Sequence, residues 1–298
     1  MHDIFFVPQQ FPTLQAAVDA VAGPATIMVE PGTYDESVVV RDKTYVVIQS
    51  VRMSRRGVTI AGGTGSSVLA IERSVVHLSG IEVRSNGRMR GIEVGGSTLS
   101  LQDCVVAGNR TGMGTSAQGV GAGMACVDSS VRIQKSTIAG NTVDFNPGWV
   151  AQPSLSSRQA TEAPGSTAIG AESRDALGGG LHFERCKIEI AGSSVQTNAA
   201  YSPTCARGGG IWCAASTMRM WRSRVTDNAM RAPLCEGAGL YLKDAGACQF
   251  GGSVISGNGA ADGRGGGVFI AGDAAGISIH RNSVVRQNHP DDVWKAVP

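Results

Sequence analysis

The sequence predicts an all-β solenoid, in which short strands wind about one long axis. Six segments each open on a glycine turn, continue through three short runs of alternating apolar residues, and close on an asparagine. The closing residues are Asn109, Asn141, Asn198, Asn228, Asn258 and Asn288, and the last four follow one another at intervals of 30 residues. A constant period of this size is typical of a repeat architecture, so each copy is predicted to form one coil.

The composition supports the same prediction. The 298 residues include 41 glycines, about twice the average share, as expected when every coil turns several tight corners. Aromatic residues make up only 5% of the chain, so the core is expected to consist mainly of Val, Ile, Ala and Met. A repeat fold needs no internal boundary, and residues 1–298 are therefore predicted to form one domain.

The first element in the sequence is a predicted helix at residues 10–22, which we expect to cover the open end of the first coil. Thr13 is its predicted N-cap. Its apolar residues recur at helical spacing: Phe11, Leu14, Ala17, Val18 and Val21.

Between residues 26 and 86 the sequence contains short runs that are rich in β-branched residues and bounded by glycine or charged turns. These features predict strands. Parallel strands stacked coil on coil satisfy the pattern without long crossover connections.

Two phrases carry a family resemblance. The turn formed by Gly32, Tyr34 and Glu36 follows the predicted helix and first strand, and the segment 288–293 has the pattern N-x-P-D-D-V. Both resemble the right-handed parallel β-helix proteins of the pectin-lyase-like superfamily, and the resemblance covers essentially the whole chain. It implies a single right-handed parallel β-helix of about nine to ten coils and an activity on carbohydrates.

The resemblance transfers no active site. The Gln-Asp-Thr and Gly-Arg-Pro-Trp phrases of pectin methylesterases are missing from the sequence. The Asn-Thr-Asp and Gly-His-Gly phrases of polygalacturonases and the Trp-x-Asp-His phrase of pectate lyases are missing too. Candidate residues must therefore come from the repeat itself.

Strand alternation predicts which side chains point inward. The closing asparagines are predicted to form an inward ladder with a structural role, because asparagine tolerates the left-handed corner conformation. Extra residues between an asparagine and the next glycines are expected to be loops that build a wall along one edge. These insertions are 110–120, 142–177, 199–207, 229–236 and 259–264, of which 142–177 is the longest.

Beside this wall the sequence predicts an outward column of side chains. Read coil by coil, the column contains Glu93, Ala125, His182, Trp212, Tyr241 and Phe269. Sugars stack on aromatic faces, so an exposed aromatic column predicts a cleft for an extended saccharide. Two alternatives stay open: the 142–177 loop covers the column as a satellite core, or the column is a subunit interface.

Titratable residues near the column supply candidates for catalysis. A glycosidase needs two carboxylates, which Glu184 with Asp175 or Glu172 would provide. A lyase or epimerase needs a base and a cation, for which His182, Lys243 and Arg207 are candidates. The candidate catalytic residues are His182, Glu184, Asp175 and Lys243. The candidate substrate-binding residues are Trp212, Tyr241, Phe269, Glu93, Trp149, Arg207 and Arg264.

The expected function is that of a lyase, glycoside hydrolase or epimerase acting on an acidic poly- or oligosaccharide. The alternatives are a non-catalytic glycan-binding or adhesion module and an oligomeric scaffold. Residues 41–90 contain nine basic and three acidic side chains, which indicates an acidic partner or a solvated arginine-rich surface. The expected partner is a carbohydrate, with a homo-oligomer as a further possibility, and no nucleic acid is expected.

Seven cysteines are present without a C-x-x-C spacing, so no zinc site is expected. Calcium is common in related lyases, but the sequence shows no acidic triad, and we expect no cofactor. Cys104, Cys126, Cys213 and Cys248 are predicted to point inward. Cys205 and Cys235 occupy equivalent positions of adjacent coils, which allows a disulfide bond or two free thiols.

The first ten residues lack the pattern of a signal peptide. A cytoplasmic location is expected if the chain is full length, and a secreted one if it is a processed form. The sequence also contains no apolar stretch of the ~20 residues that span a bilayer.

Overall fold

The computed structural model describes residues 2–52, 57–62, 65–112, 119–145, 174–261, 263–272 and 276–296. The fold is a right-handed parallel β-helix, as predicted. Three long parallel sheets, here called sheets I, II and III, run along its axis and contain ten, nine and nine strands. Sheet I consists of the strands Asp3–Val7, Ala25–Val29, Val46–Ser50, Val75–Ser79, Thr98–Gln102, Ser130–Gln134, Lys187–Ala191, Thr217–Trp221, Cys248–Gly251 and Ile277–Ile279.

Sheets II and III complete the barrel. Sheet II consists of Gly32–Tyr34, Val58–Ile60, Ile81–Val83, Val105–Ala107, Thr137–Ala139, Ser194–Gln196, Arg224–Thr226, Val254–Ser256 and Val284–Arg286. Sheet III consists of Val38–Arg41, Ser67–Glu72, Arg90–Gly95, Met124–Val127, Leu181–Glu184, Ile211–Ala214, Leu240–Lys243, Val268–Ala271 and Val293–Lys295.

Two further parallel sheets of five strands each lie outside this barrel. The outer sheet consists of Arg110–Thr111, Thr142–Asp144, Ala199–Tyr201, Ala229–Arg231 and Gly259–Ala260. The wall sheet consists of Gly119–Val120, Ala176–Leu177, Cys205–Arg207, Leu234–Glu236 and Gly263–Arg264. A full coil therefore runs through sheet III, sheet I, sheet II, the outer sheet and the wall sheet.

The insertions predicted as loops therefore contain strands of the outer and wall sheets in their described parts. Runs of two or three residues are too short for alternation to be read, and their pairing partners lie a whole coil away in the sequence. The predicted wall exists, but parallel strands build it. Residues 146–173 of the longest insertion lie outside the described part of the chain.

Each coil buries its alternate side chains, as the pattern predicts. Ile211, Met218 and Val225 of one coil are fully buried in the barrel core. A second, alanine-rich core lies between the outer and wall sheets. Gly208 turns the chain from the wall sheet into sheet III at φ +65°, where a Cβ would lie 2.4 Å from the Ile211 carbonyl oxygen. This corner therefore requires glycine.

The asparagine ladder is confirmed. In its interior, the backbone N–H and side-chain Nδ2 of Asn141 donate to Oδ1 of Asn198 at 3.0 and 2.9 Å. Asn198 in turn donates to Oδ1 of Asn228 from the same two groups, both at 3.0 Å. Along the ladder, the backbone N–H and Nδ2 of one asparagine thus donate to Oδ1 of the asparagine in the next coil.

Two hydroxyl ladders line the other corners, and the sequence analysis did not find them. At one corner the N–H of Ser193 donates to Oγ of Ser223 at 3.2 Å, and the N–H of Ser223 donates to Oγ of Ser253. Cys104 occupies the same kind of position, because its N–H donates to Oγ of Ser136 at 3.0 Å. Cys104 is buried as predicted and also serves as a step of this ladder.

The capping helix extends over Leu14–Ala20 and is shorter than the predicted 10–22. Thr13 is its N-cap, with Oγ1 accepting from the N–H of Ala16 at 3.1 Å. Glu36 accepts from the N–H groups of Leu14 and Gln15 at 2.8 and 2.9 Å. The glutamate of the G-x-Y-x-E turn thus holds the cap on the barrel, since a carboxylate at a helix N-terminus satisfies free N–H groups.

All seven cysteines are buried and none is in a disulfide, so the disulfide that the spacing allowed between Cys205 and Cys235 is absent. Cys205 pairs in register with Leu234, and Cys235 pairs with Ala206. The two cysteines are offset by one residue, and successive side chains of a strand point to opposite faces.

In the described part of the chain, no helix is long and apolar enough to cross a membrane.

Candidate functional site

The predicted column on sheet III is a continuous stack of rings, here called the aromatic stack, formed by His182, Trp212, Tyr241 and Phe269. These residues are partners in the strand register, one from each coil. The ring centroids are 4.3, 6.5 and 5.4 Å apart in that order, and neighbouring rings are parallel within 8°. All four side chains point away from the barrel core, as predicted.

The prediction that the four rings of this column are exposed is wrong. Its side chains are between 3% and 8% exposed, because the wall sheet lies over them. Leu177 packs against the stack, and the guanidinium carbon of Arg207 lies 5.7 Å from the Tyr241 ring centroid. Burial raises the pKa of Tyr241 to about 12. The stack is thus a satellite core within one chain, and its ring faces are not available to a second subunit.

The same column contains no aromatic ring toward the N-terminus, where two of its three side chains are alanines. Ala125, Glu93 and Ala70 continue the register beyond His182. They form the floor of a surface depression of about 420 Å³, here called the trough. The trough is lined by Ser66, Ala70, Ile71, Glu72, Arg90, Glu93, Val94, Gly95, Val120, Ala125, Val127 and His182.

His182 forms the end of the trough. One face of its imidazole ring lies against Trp212, and the coil on its other side contributes only the methyl group of Ala125. The side chain is 4% exposed, and Nδ1 has no hydrogen-bond partner among the described residues. Burial, together with the charge of Arg90, lowers the pKa of His182 to about 3. The ring is therefore neutral at physiological pH and carries an unused polar atom.

Arg90 and Glu93 provide the charge beside this ring. Nη1 of Arg90 lies 3.0 Å from Oε2 of Glu93, and Nε donates to the Val120 carbonyl oxygen at 3.1 Å. Ser66 donates to Oε2 of Glu93 at 3.3 Å. The Arg90 side chain is 15% exposed and that of Glu93 45%, so the cation is held against the wall while the carboxylate faces solvent.

The remaining candidates that the structure describes do not line the trough. Glu184 and Lys243 belong to the neighbouring column of sheet III, and Glu184 is paired with Arg185. Asp175 lies 3.6 Å from Arg207, whose Nε donates to Glu236 at 2.8 Å. These groups tie neighbouring wall strands together over the aromatic stack. They do not meet His182 in one cluster.

Arg264 lies at the far end of the wall sheet. Its guanidinium carbon is 5.2 Å from the ring centroid of Trp294, which follows Phe269 in the register. Trp149 and Glu172 lie outside the described residues. Thus, of the candidate residues that the structure describes, His182 and Glu93 line the trough together.

Sequence analysis missed Arg90 and the importance of Ala70 and Ala125. The alanines were readable from the register, since a column that changes from rings to methyl groups must leave space. Arg90 could not be found in this way, because it points into the trough from the start of its strand.

A wider depression of about 510 Å³ lies at the corner between sheets III and I. Its charged groups and the hydroxyls of Ser74 and Ser97 already have partners. Nε of Arg73 lies 2.6 Å from Oδ1 of Asp42, and Oγ of Ser74 accepts from the N–H of Lys43 at 2.9 Å. These polar groups serve structural contacts, and the trough is the better candidate for a ligand site.

Over the described residues, no group of three or more His, Cys, Asp or Glu side chains is placed to hold a metal ion.

The fold and the trough define a parallel β-helix protein with a ligand-sized depression on its flank, since binding pockets usually measure ~300–1,000 Å³. No family model matches the sequence. No curated protein matches it either.

Solved structures do match. A pectin methylesterase from Aspergillus niger in deglycosylated form is 13% identical, with 99% of this chain and 89% of that chain covered and a TM-score of 0.37. The rice weevil pectin methyl esterase is 14% identical over 98% and 87% of the two chains, with a TM-score of 0.40. An alginate lyase of the PL6 family is 10% identical over 99% and 53%, with a TM-score of 0.21. At these identities no residue role passes from those proteins to this chain.

Proposed function

We propose that the chain is a carbohydrate-active enzyme that binds an acidic poly- or oligosaccharide in the trough. The observation that supports this most is the trough's closed end, where a buried histidine, whose Nδ1 has no partner among the described residues, lies near an arginine. A sugar ring has an apolar face that stacks on aromatic rings and hydroxyls that hydrogen-bond to a buried nitrogen. A uronic acid also carries the carboxylate that a guanidinium binds well.

The residues favour proton abstraction beside a carboxylate, the chemistry of a lyase or an epimerase. Arg90 would hold the carboxylate and stabilise the charge that develops on it, while neutral His182 would accept the proton from the adjacent carbon. In a lyase the released electron pair forms a carbon–carbon double bond and the leaving oxygen takes a proton from water. In an epimerase a proton returns to the opposite face. This scheme uses side chains alone and needs no metal.

Substrate binding would make His182 a better base. The charge of Arg90 is one of the two causes of the low His182 pKa. A bound carboxylate offsets this charge, so the pKa rises when substrate is present. Hydrolysis fits the trough less well, because it requires a protonated carboxylic acid. Glu72 is hydrogen-bonded to Arg41, which lowers its pKa, and Glu93 is paired with Arg90.

The test is turnover of oligogalacturonates and oligomannuronates, followed by the absorbance of unsaturated products and by newly formed reducing ends. His182→Phe keeps a ring in the stack but removes both nitrogens, and Ala125→Phe fills the trough. Each is expected to reduce turnover at least a hundredfold, since a lost acid–base group costs about 10²–10⁴. The matched controls are His280→Phe and Ala191→Phe, which place the same side chain on other surfaces of the barrel. Unchanged turnover in both trough variants would rule out this site.

A second candidate is a non-catalytic glycan-binding module. Its support is the ion pairing of the two trough carboxylates Glu72 and Glu93, which leaves neither prepared as an acid. Calorimetric titration with the same oligosaccharides separates the two proposals. Binding that Ala125→Phe abolishes, without turnover of any oligomer by the wild-type chain, would favour the binding module.

A further inference from the structure

We infer that the trough is closed at one end and that it binds the terminus of a saccharide chain rather than its interior. The carbohydrate nature of the ligand rests on the proposed function. The direction and length of the site come from the geometry of sheet III and of the wall sheet. For an enzyme, such a site means cleavage or modification from a chain end.

The closed end is the aromatic stack. From His182 to Phe269 each coil places one ring in the column, and none of these rings is more than 8% exposed. Arg207 reinforces the cover, because it lies near the Tyr241 ring and contacts both Asp175 and Glu236 on neighbouring wall segments. A saccharide chain lying in the trough cannot continue past His182, because its next unit would need the space that Trp212 occupies.

The opposite end of the trough is open. Its floor spans the three coils of Ala125, Glu93 and Ala70, or about 14 Å at the usual strand spacing of about 4.8 Å. The wall sheet begins at Gly119–Val120, and the next residue in the column, Val39, is 38% exposed. A chain bound by its end at His182 would therefore leave the trough toward Val39.

His182 would recognise the terminal unit. The terminal sugar ring would lie above Ala125, in the position that a fifth ring of the stack would take. His182 and Ala125 line this end of the trough and are 4% and 5% exposed. Nδ1 is buried and lacks a partner among the described residues, so a terminal hydroxyl bound at this end of the trough would satisfy it. An internal unit carries a glycosidic bond at that position and offers no hydroxyl there.

The test uses oligogalacturonates and oligomannuronates of increasing length in three forms: unmodified, blocked at the reducing end and blocked at the non-reducing end. Calorimetric titration gives the dissociation constants. One blocked form is expected to lose at least about tenfold in affinity, which is ~1.4 kcal/mol, and the other to bind as the unmodified oligomer does. Affinity is expected to increase with length only until the three-coil floor is filled.

Two variants locate the terminal unit. Ala125→Phe should abolish binding at every length, because it fills the position next to His182. Ala70→Phe should remove the gain in affinity with length, because it fills the open end. The control Ala191→Phe, on another surface of the barrel, should bind every oligomer as the wild type does. Thermal melting of both variants confirms that they are folded.

The outcomes separate this inference from the proposed function. Equal affinity for both blocked forms and the unmodified oligomer, or release of long internal fragments from a polymer, overturns chain-end binding alone. If the wild-type chain binds none of the oligosaccharides tested, both proposals are overturned. A tenfold difference between the two blocked forms supports chain-end binding whether or not turnover occurs.

Discussion

The direction in which the His182 side chain points and the burial of that side chain have different causes. Its outward direction follows from alternation along Leu181–Glu184, and the sequence analysis predicted it correctly. Its burial cannot be read from this strand, because the wall sheet that covers the column belongs to other segments of the chain. The result is an imidazole outside the barrel core but shielded from water, whose Nδ1 has no partner among the described residues.

This burial predicts a pH-dependent stability. The folded pKa of His182 is about 3, below the ordinary value of 6.5, so the unfolded chain takes up a proton over a range in which the folded chain does not. The contribution of His182 is therefore fully present above pH 6.5 and is lost as the pH falls toward 3. At about 1.4 kcal/mol per unit of pKa, the loss at pH 5 is roughly 2 kcal/mol.

Urea unfolding of the wild type and of His182→Phe between pH 7.5 and about 4.5 measures this term, because the carboxylates contribute equally to both proteins. The wild type is expected to lose more stability over the interval than the variant. His280→Phe, at an exposed histidine, should behave like the wild type. If His182→Phe and the wild type decline in parallel, His182 is not buried in the neutral form.

At the scale of elements, the ladders determine the register of the coils. Each corner places a polar residue where its side chain accepts from the N–H of the equivalent residue one coil earlier, as Asn228 does for Asn198. A shift of one coil by one residue would break all of these bonds together. Apolar packing of Val and Ile alone would tolerate such a shift better, since their shapes are similar.

The interior of the asparagine ladder is therefore expected to be more sensitive than its end. Asn198→Ala leaves the N–H and Nδ2 of Asn141 without their acceptor in a site of zero exposure, which should cost about 3 kcal/mol at 1–3 kcal/mol per unsatisfied group. Asn288→Ala removes the equivalent acceptor from Asn258, but at a residue that is 9% exposed, where water can replace it. We expect a loss of about 1 kcal/mol there.

Urea midpoints at an unchanged m-value compare the two variants. Similar losses for Asn198→Ala and Asn288→Ala would contradict the argument, because they would show that burial along the ladder does not set the cost.

How well a feature is predicted from the sequence depends on how local the residues that determine it are. The period of the asparagines, the inward ladder and the ring column depend on alternation within one copy, and all three are confirmed. The wall strands depend on pairing across a whole coil, as in Cys205–Arg207 with Leu234–Glu236, and very short runs carry no readable pattern. A coil of the trough contributes alanine at the position where a coil of the stack contributes tryptophan. The space that this difference leaves can be judged only once the position of the wall sheet is known.

The whole molecule is a stack in which each coil contacts its neighbours along the axis. Its two ends differ within the described residues. At the first coil the helix Leu14–Ala20 buries Leu14, Ala17 and Val18 against the barrel. At the last described coil Ile279, Val284, Val293 and Trp294 are each 37–40% exposed. A solenoid of this kind is expected to open from its ends, with stability that is nearly additive over coils.

Hydrogen exchange read by mass spectrometry tests this expectation with one variant at each end. Leu14→Ala removes a fully buried side chain from the cap and should speed exchange in Asp3–Val7 and Ala25–Val29. Val285→Ala, at a residue packed on the core of the last coil, should speed exchange in Val284–Arg286. The strand Ile211–Ala214 should exchange as in the wild type in both variants, because neither change touches its neighbours. Faster exchange in all coils from either substitution would instead mean that the barrel opens as one cooperative unit, and the trough would then be only as stable as the ends of the molecule.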